Sequence, residues 1–183
     1  MQRALVDLAR RGDEEAFADL ARAVGDRLMG IAFRILRDAD RAEDAVQQTL
    51  MSAWRELPTL HDDDRFDAWL RRILVNACYA EARRRRSWSA NIRVLPTDGP
   101  AGRDDTAGVI DRDLLERAFR RISPEQRAIF VLHHYVGLTL PEVADELGVP
   151  LGTVKSRLHY ATQALRAALD ADARAANSTE RLA

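Results

Sequence analysis

The residues best equipped for chemistry fall into three groups. Arg72, Asn76, Tyr79 and Arg83 recur at spacings of four, three and four, which on a helix sets two cations, an amide and an aromatic ring along one stripe. That set suits phosphate contacts, hydrogen bonds to base edges and stacking on an unpaired base. Arg83 also opens a run of arginines to Arg86, adjacent cations that repel one another unless an anion is near. The second group, Thr153, Lys155, Ser156, Arg157, His159 and Tyr160, is polar and partly basic, as contacts in a DNA groove require. The third group would serve catalysis: Cys78, the adjacent His133 and His134, and the carboxylates Asp62, Asp63 and Asp64. Spacing argues against it. Adjacent histidines on a helix point about 100° apart and do not easily share a metal. Cys78 lies beside an apolar stripe, as a small core residue would, and no glycine-rich phosphate loop or nucleophile elbow is seen. No catalytic residue, metal or cofactor is therefore expected, and the chain does not read as an enzyme.

Helices must position the first two groups. From Asp13 to Arg86 apolar residues recur at three and four rather than two, the helical period. Phe17, Leu20, Ala21, Val24 and Leu28 form one stripe, continued by Ile31, Ile35 and Leu36. Asp40, with Glu43 three residues on, predicts the cap of a next helix whose buried stripe is Val46, Leu50, Ala53, Trp54 and Leu57. Its opposite face carries Glu43, Asp44, Gln47, Gln48 and Met51, a surface able to dock a partner. Pro58 ends that helix. An acidic loop, His61 to Arg65, precedes a helix with Phe66, Trp69, Leu70, Ile73 and Ala77 inward and the Arg72–Arg83 stripe outward. The loop is a candidate lip to that stripe.

Ser87 to Gly108 collects Pro, Gly, Asp and Ser without a period, the mark of a linker. Beyond it Leu114, Leu115, Ala118, Phe119 and Ile122 restart a helical stripe. Ser123, with Pro124 and Gln126, caps a further helix with Ile129, Phe130 and Leu132 inward, and Gly137 ends it. Thr139, Pro141 and Glu142 then begin a helix, Gly148 permits a left-handed turn, and Val149 and Pro150 start another: a helix-turn-helix. Val154, Leu158, Leu165 and Leu169 face inward in its second helix. Glu142, Asp145 and Glu146 lie on the first helix while Lys155, Arg157 and Arg166 lie on the second, so the basic surface is local and favours insertion of the second helix into a groove.

The whole-chain numbers agree with an all-helical protein. The 183 residues are 46% hydrophobic, 31% charged and only 6% aromatic, with a formal net charge of −1, so charge distribution rather than total charge points to nucleic acid. A single cysteine excludes an internal disulfide and a cysteine zinc cluster. No apolar run approaches the roughly 20 residues that span a bilayer, and the first residues have no apolar signal core, so a cytoplasmic protein without membrane insertion is expected.

Three segments in order, "RAEDAVQQTLMSAW", "FDAWLRRILVNACYAEARRRR" and "LPEVADELGVPLGTVKSRL", resemble a bacterial RNA polymerase sigma factor of the sigma-70 family, extracytoplasmic function (ECF) group, over about Leu8 to Leu169. The resemblance implies an all-α fold of two small helical domains joined by a flexible linker: residues 8–86 as sigma region 2, 87–110 as linker, 111–172 as the region 4 helix-turn-helix, and 173–183 as a tail. It implies that Glu43, Asp44, Gln47, Gln48 and Met51 meet core RNA polymerase, with Asp44 and Gln47 foremost. Arg72, Asn76, Tyr79 and Arg83 would engage and melt the minus-ten promoter element, Asn76 beside a flipped-out base. Thr153, Lys155, Ser156, Arg157, His159 and Tyr160 would read the minus-thirty-five element. The linker would run toward the RNA exit path. Partners are then core polymerase, promoter DNA and an anti-sigma factor. Departures from the family pattern are Gln48, Leu50 and Ala80, where an acidic residue, Phe and Asp are common, and Tyr160 and Thr162, where cations are common. Fewer cations there weaken phosphate attraction. A plain helix-turn-helix regulator is the alternative; it would bind duplex DNA without polymerase.

Overall fold

A computed structural model describes residues 2–91, 118, 119 and 121–180, and every regular element among them is helical. The α-helices are α1 (Gln2–Arg10), α2 (Glu14–Leu36), α3 (Ala39–Glu56), α4 (Phe66–Asn91), α5 (Pro124–His134), α6 (Leu140–Leu147) and α7 (Leu151–Glu180). Single 3-10 turns, Leu57–Thr59 and Asp63–Arg65, connect α3 to α4.

The first unit, α1 to α4, is bounded by local chemistry. Asp13 caps α2 by accepting from Ala16 N at 3.0 Å. Arg37 takes a left-handed conformation (φ 58°) that ends α2. That stop moves the next cap: the extended residue after it is Asp38, which accepts from Arg41 N at 3.2 Å. Asp40, expected as the cap, lies instead in the first turn of α3. The inward face of α3 also differs from expectation. Ala42, Ala45, Thr49 and Ala53 are the buried residues, with Val46, Leu50 and Trp54 only partly covered. Small side chains let α3 approach α2 and α4 closely, and the Thr49 hydroxyl is satisfied by donating to Ala45 O at 2.6 Å. Pro58 does interrupt the helix, inside the first 3-10 turn. Helix α1 was not anticipated; Val6 and Ala9 seal it onto the core.

In the second unit both expected capping boxes are present, Ser123 with Gln126 and Thr139 with Glu142, each with a proline in the first turn. Gly148 ends α6 in the left-handed region (φ 64°), where a side chain would be strained. Val154, Ala161, Leu165 and Ala168 of α7 are buried; the side chain of Leu169, also expected inward, lies outside the described residues.

The two units pack together. Helix α5 lies along α2, and α4 touches both α5 and α6. One apolar core runs from Leu20, Leu28 and Leu74 in the first unit to Ile129, Leu132, Val143 and Val154 in the second. Helix α4 continues past Arg86 to Asn91, so residues 87–91, expected within the linker 87–110, are helical; residues 92–110 of that linker, and Leu114 and Leu115, lie outside the described residues.

Candidate nucleic-acid interface

Helix α4 is anchored by Phe66, Leu70, Leu74 and Cys78, all buried. Opposite them Arg72, Asn76 and Arg83 are exposed, as their spacing predicts. Tyr79 departs from that stripe: its ring packs against the core and its hydroxyl is enclosed without a hydrogen-bond partner. Burial is the main influence raising its pKa; Glu125 raises it further, while Arg157 lowers it. Both charged neighbours belong to the second unit, so Tyr79 sits at the seam. Cys78 is inaccessible and burial pushes its thiol up to about 12, which makes it a core residue rather than a nucleophile.

The acidic lip before α4 is built. Asp62 accepts from Asp64 N at 3.0 Å, and Arg65 N donates to Asp62 O at 3.1 Å. Arg10 of α1 fastens it by donating to Leu60 O at 3.2 Å and to Asp63 Oδ1 at 3.1 Å. Between lip and helix is a cavity of about 310 Å³ with His61, Arg65, Trp69 and Arg72 in its wall. Its other wall comes from the helix-turn-helix: Asp145 and Glu146 of α6. Arg65 pairs with Asp145 at 2.8 Å, and Arg71 holds Glu146 through both carboxylate oxygens, Nε at 2.9 Å and Nη2 at 2.7 Å. Those four side chains had no signal in single-helix periodicity, because the two pairings cross 80 and 75 residues of chain.

Helix α7 presents Lys155, Ser156, His159 and Tyr160 to solvent; Tyr160 is 61% exposed. Thr153 and Arg157 are half-buried. Ser156 donates to Thr153 O at 3.1 Å, and His159 and Tyr160 meet edge to face at 5.9 Å. Thr162, where a cation was missed, turns back to Leu158 O at 2.9 Å. On α3 Glu43, Asp44, Gln47, Gln48 and Met51 are all exposed. Beside them is an apolar hollow of about 320 Å³ walled by Phe17, Leu50, Met51 and Trp54, with Phe17 and Trp54 rings 4.9 Å apart.

His133 and His134 do not form a metal pair: His133 Nδ1 donates to the Leu138 carbonyl at 2.7 Å, and no group of three or more potential ligands occurs among the described residues. No described helix is long and apolar enough to cross a membrane.

A helix-turn-helix with an outward polar face on its second helix, beside a helical unit with a cationic amide stripe, defines a DNA-binding protein of transcription. The sequence matches the family model of sigma-70 region 2 over residues 20–88 and of sigma-70 region 4 over residues 112–165. It is 36% identical over 165 residues to the ECF RNA polymerase sigma factor SigL of Mycobacterium tuberculosis, covering 86% of this chain and 93% of that one. Among solved structures it is similar to CnrH in complex with the cytosolic domain of CnrY (TM-score 0.68, 28% identity, 93% of this chain and 98% of that one). It is equally similar to the sigma factor RpoE of Bartonella quintana in complex with the anti-sigma factor NepR (TM-score 0.69, 28% identity, 85% and 98%). The chain belongs to the sigma-70 family, in the group of ECF RNA polymerase sigma factors. It directs core RNA polymerase to promoters, and its two units are sigma regions 2 and 4.

Proposed function

We propose that residues 8–86 bind core polymerase and open the minus-ten element, that 87–110 link the units, and that 111–172 read the minus-thirty-five element, with 173–183 a tail. The exposed face of α3 is the polymerase contact. Asp44 and Gln47 supply polar contacts, Glu43 and Gln48 flank them, and Met51 with the neighbouring hollow supplies apolar area. Arg72 and Arg83 hold phosphates, Asn76 bonds the edge of an extruded base, and the cavity beside Trp69 receives it. Tyr79 reaches that base only when the second unit moves away. Lys155, Ser156, Arg157, His159 and Tyr160 meet the duplex groove, with Thr153 at their edge.

The observation that carries this reading is the separation of three polar faces, on α3, α4 and α7, each opposite a buried apolar stripe. Opening a duplex costs stacking and pairing energy, and capture of an extruded base offsets part of that cost. Polymerase supplies the chemistry, so this chain needs no catalytic group. The complexes of CnrH and RpoE support an anti-sigma partner for this chain as well, and the protein acts in the cytoplasm. Run-off transcription with core polymerase on a promoter library is the test. Asn76→Ala should erase minus-ten selectivity and Arg157→Ala should erase minus-thirty-five selectivity, each mismatch discrimination being worth about 1–3 kcal/mol. Unchanged promoter profiles would overturn the assignments, and a footprint by the free chain with no effect on core polymerase would favour the plain regulator.

A further inference from the structure

The acidic lip has two sides. A 3-10 turn repeats every three residues, and Asp62 and Arg65, three apart, both line the cavity beside Trp69 and Arg72, together with Leu60 and His61. Asp63 and Asp64 line a second hollow of about 210 Å³, whose opposite wall is Arg3 and Val6 of α1. None of the described residues lining the cavity belongs to α1. Helix α1 supports the lip from behind.

Three consecutive carboxylates beside a face for nucleic acid repel one another and repel phosphate, so the lip needs a brace. Asp62 is used within the lip, accepting from Asp64 N at 3.0 Å. The brace for the rest is one side chain of α1, Arg10. Its Nη1 donates to Leu60 O at 3.2 Å, where the lip begins, and to Asp63 Oδ1 at 3.1 Å, inside the turn. Its Nη2 donates to Asp7 Oδ1 at 3.0 Å, one turn back on α1, and this fixes the plane of the guanidinium. Asp63 is 14% exposed and Arg10 30%, which sets this pair apart from the exposed Arg3–Asp64 pair at 3.3 Å. Val6 and Phe66, both buried, give the brace a packed floor. One nitrogen thus holds residues 60 and 63, and His61 and Asp62 lie on the chain between them.

We propose that Arg10 is a positioning residue for minus-ten recognition. It touches no base. Through Leu60 and Asp63 it fixes His61 and Asp62 at the edge of the cavity that receives the extruded base, and it offsets the Asp63 charge beside DNA phosphate. The proposal rests on the reading of that cavity given above and adds a residue to its specificity. A supporting shell that is about 1 Å too loose is enough to spoil a site. Loss of the brace should therefore appear as lost discrimination between bases, not as lost transcription.

The test is run-off transcription by core polymerase with the full-length chain, on promoters carrying each of the four bases in turn at every minus-ten position. The chains are wild type, Arg10→Gln, Asp63→Asn, the double variant and Arg11→Gln. Arg11 is the control: it carries the same charge one residue on, is exposed, and bonds Asp7 at 2.7 Å rather than the lip. Arg10→Gln should lower the base preference within the minus-ten element about fivefold, the lower end of what a mismatched pair costs. Minus-thirty-five preference, and output from the best promoter at saturating chain, should match wild type. Asp63→Asn should lower the same preference, and the double variant should lose no more than Arg10→Gln, since both changes break one unit. Arg11→Gln should keep the wild-type profile. An unchanged profile in Arg10→Gln overturns the proposal. So does an equal fall at both promoter elements, which a general loss of folding would give. The same loss in Arg11→Gln overturns it by making net charge the cause, and additive losses in the double variant do so by separating the two residues. If Arg10→Gln does not fold, Asp63→Asn decides by the same criteria. Failure of the underlying reading is distinct, because Asn76→Ala would then leave minus-ten preference untouched.

Discussion

Tyr79 shows how a residue can be read correctly for chemistry and wrongly for position. Its spacing from Asn76 and Arg83 places it on their side of α4, and that was legible. The helical wheel carries no information about a second unit, so the cover over the ring was not. In the closed arrangement its hydroxyl is enclosed and has no protein partner, and an enclosed hydroxyl without a partner costs about 1–3 kcal/mol. Tyr79→Phe removes that group at nearly constant shape. The expected result is a stabilisation of about 1 kcal/mol, seen as a higher Tm in calorimetry. A lower Tm would mean that the hydroxyl is bonded in solution. Cys78 is the opposite case, since an apolar neighbourhood in sequence sufficed to place it in the core, and it is buried there.

Helix boundaries were legible where the signal is short-range. Ser123, Thr139 and Gly148 act within four residues of themselves, and each does what its type predicts. Asp40 failed for a reason one residue away: Arg37 in the left-handed region stops α2 early enough for Asp38 to cap α3. Periodicity likewise placed much of the apolar face of α3 on Val46, Leu50 and Trp54, whereas close helix approach selects Ala42 and Ala45 beside the expected Ala53. The capping box at Thr139 is the element whose strength can be checked most directly. Its hydroxyl and backbone N–H both bond Glu142, at 2.6 and 2.7 Å, and these two bonds lower the Glu142 pKa from its ordinary 4.5. Thr139→Ala should cost about 1 kcal/mol in urea unfolding at pH 7. A carboxylate with a depressed folded pKa stabilises above its unfolded value and loses that contribution as pH falls through the folded one. The difference between wild type and variant should therefore shrink on acidification below pH 4.5. A difference independent of pH would assign the effect to the hydroxyl alone.

At the scale of the molecule, the two-unit plan was legible from composition, because the Ser87 to Gly108 stretch has no helical period. How the units meet was not, since Arg71 with Glu146 and Gly30 with Tyr135 pair residues 75 and 105 positions apart. The meeting has an electrostatic cost as well as a gain. On the seam away from α6, Arg41 and Arg85 of the first unit face Arg121 and Arg127 of the second around a cleft of about 380 Å³ with no carboxylate among its described lining residues, Arg41 being paired with Asp38 at 3.2 Å outside it. Arg127 Nε is enclosed without a partner, and burial first, then the nearby charge of Arg37, lowers its pKa to about 10. Screening by salt relieves the repulsion in this cleft but also weakens the exposed Arg65–Asp145 pair, so chloride should change compactness little. A multivalent oxyanion differs, because it can bridge guanidiniums from both units with charge-assisted hydrogen bonds. Inorganic phosphate should therefore raise the Tm and reduce the scattering radius more than sodium chloride at matched ionic strength. Linkage makes the rise grow with the logarithm of concentration once the site fills. Arg121→Gln, an exposed change that leaves the core alone, should reduce that difference between the salts. Equal responses to phosphate and chloride in the wild type would mean that phosphate does not bridge the cations of this cleft.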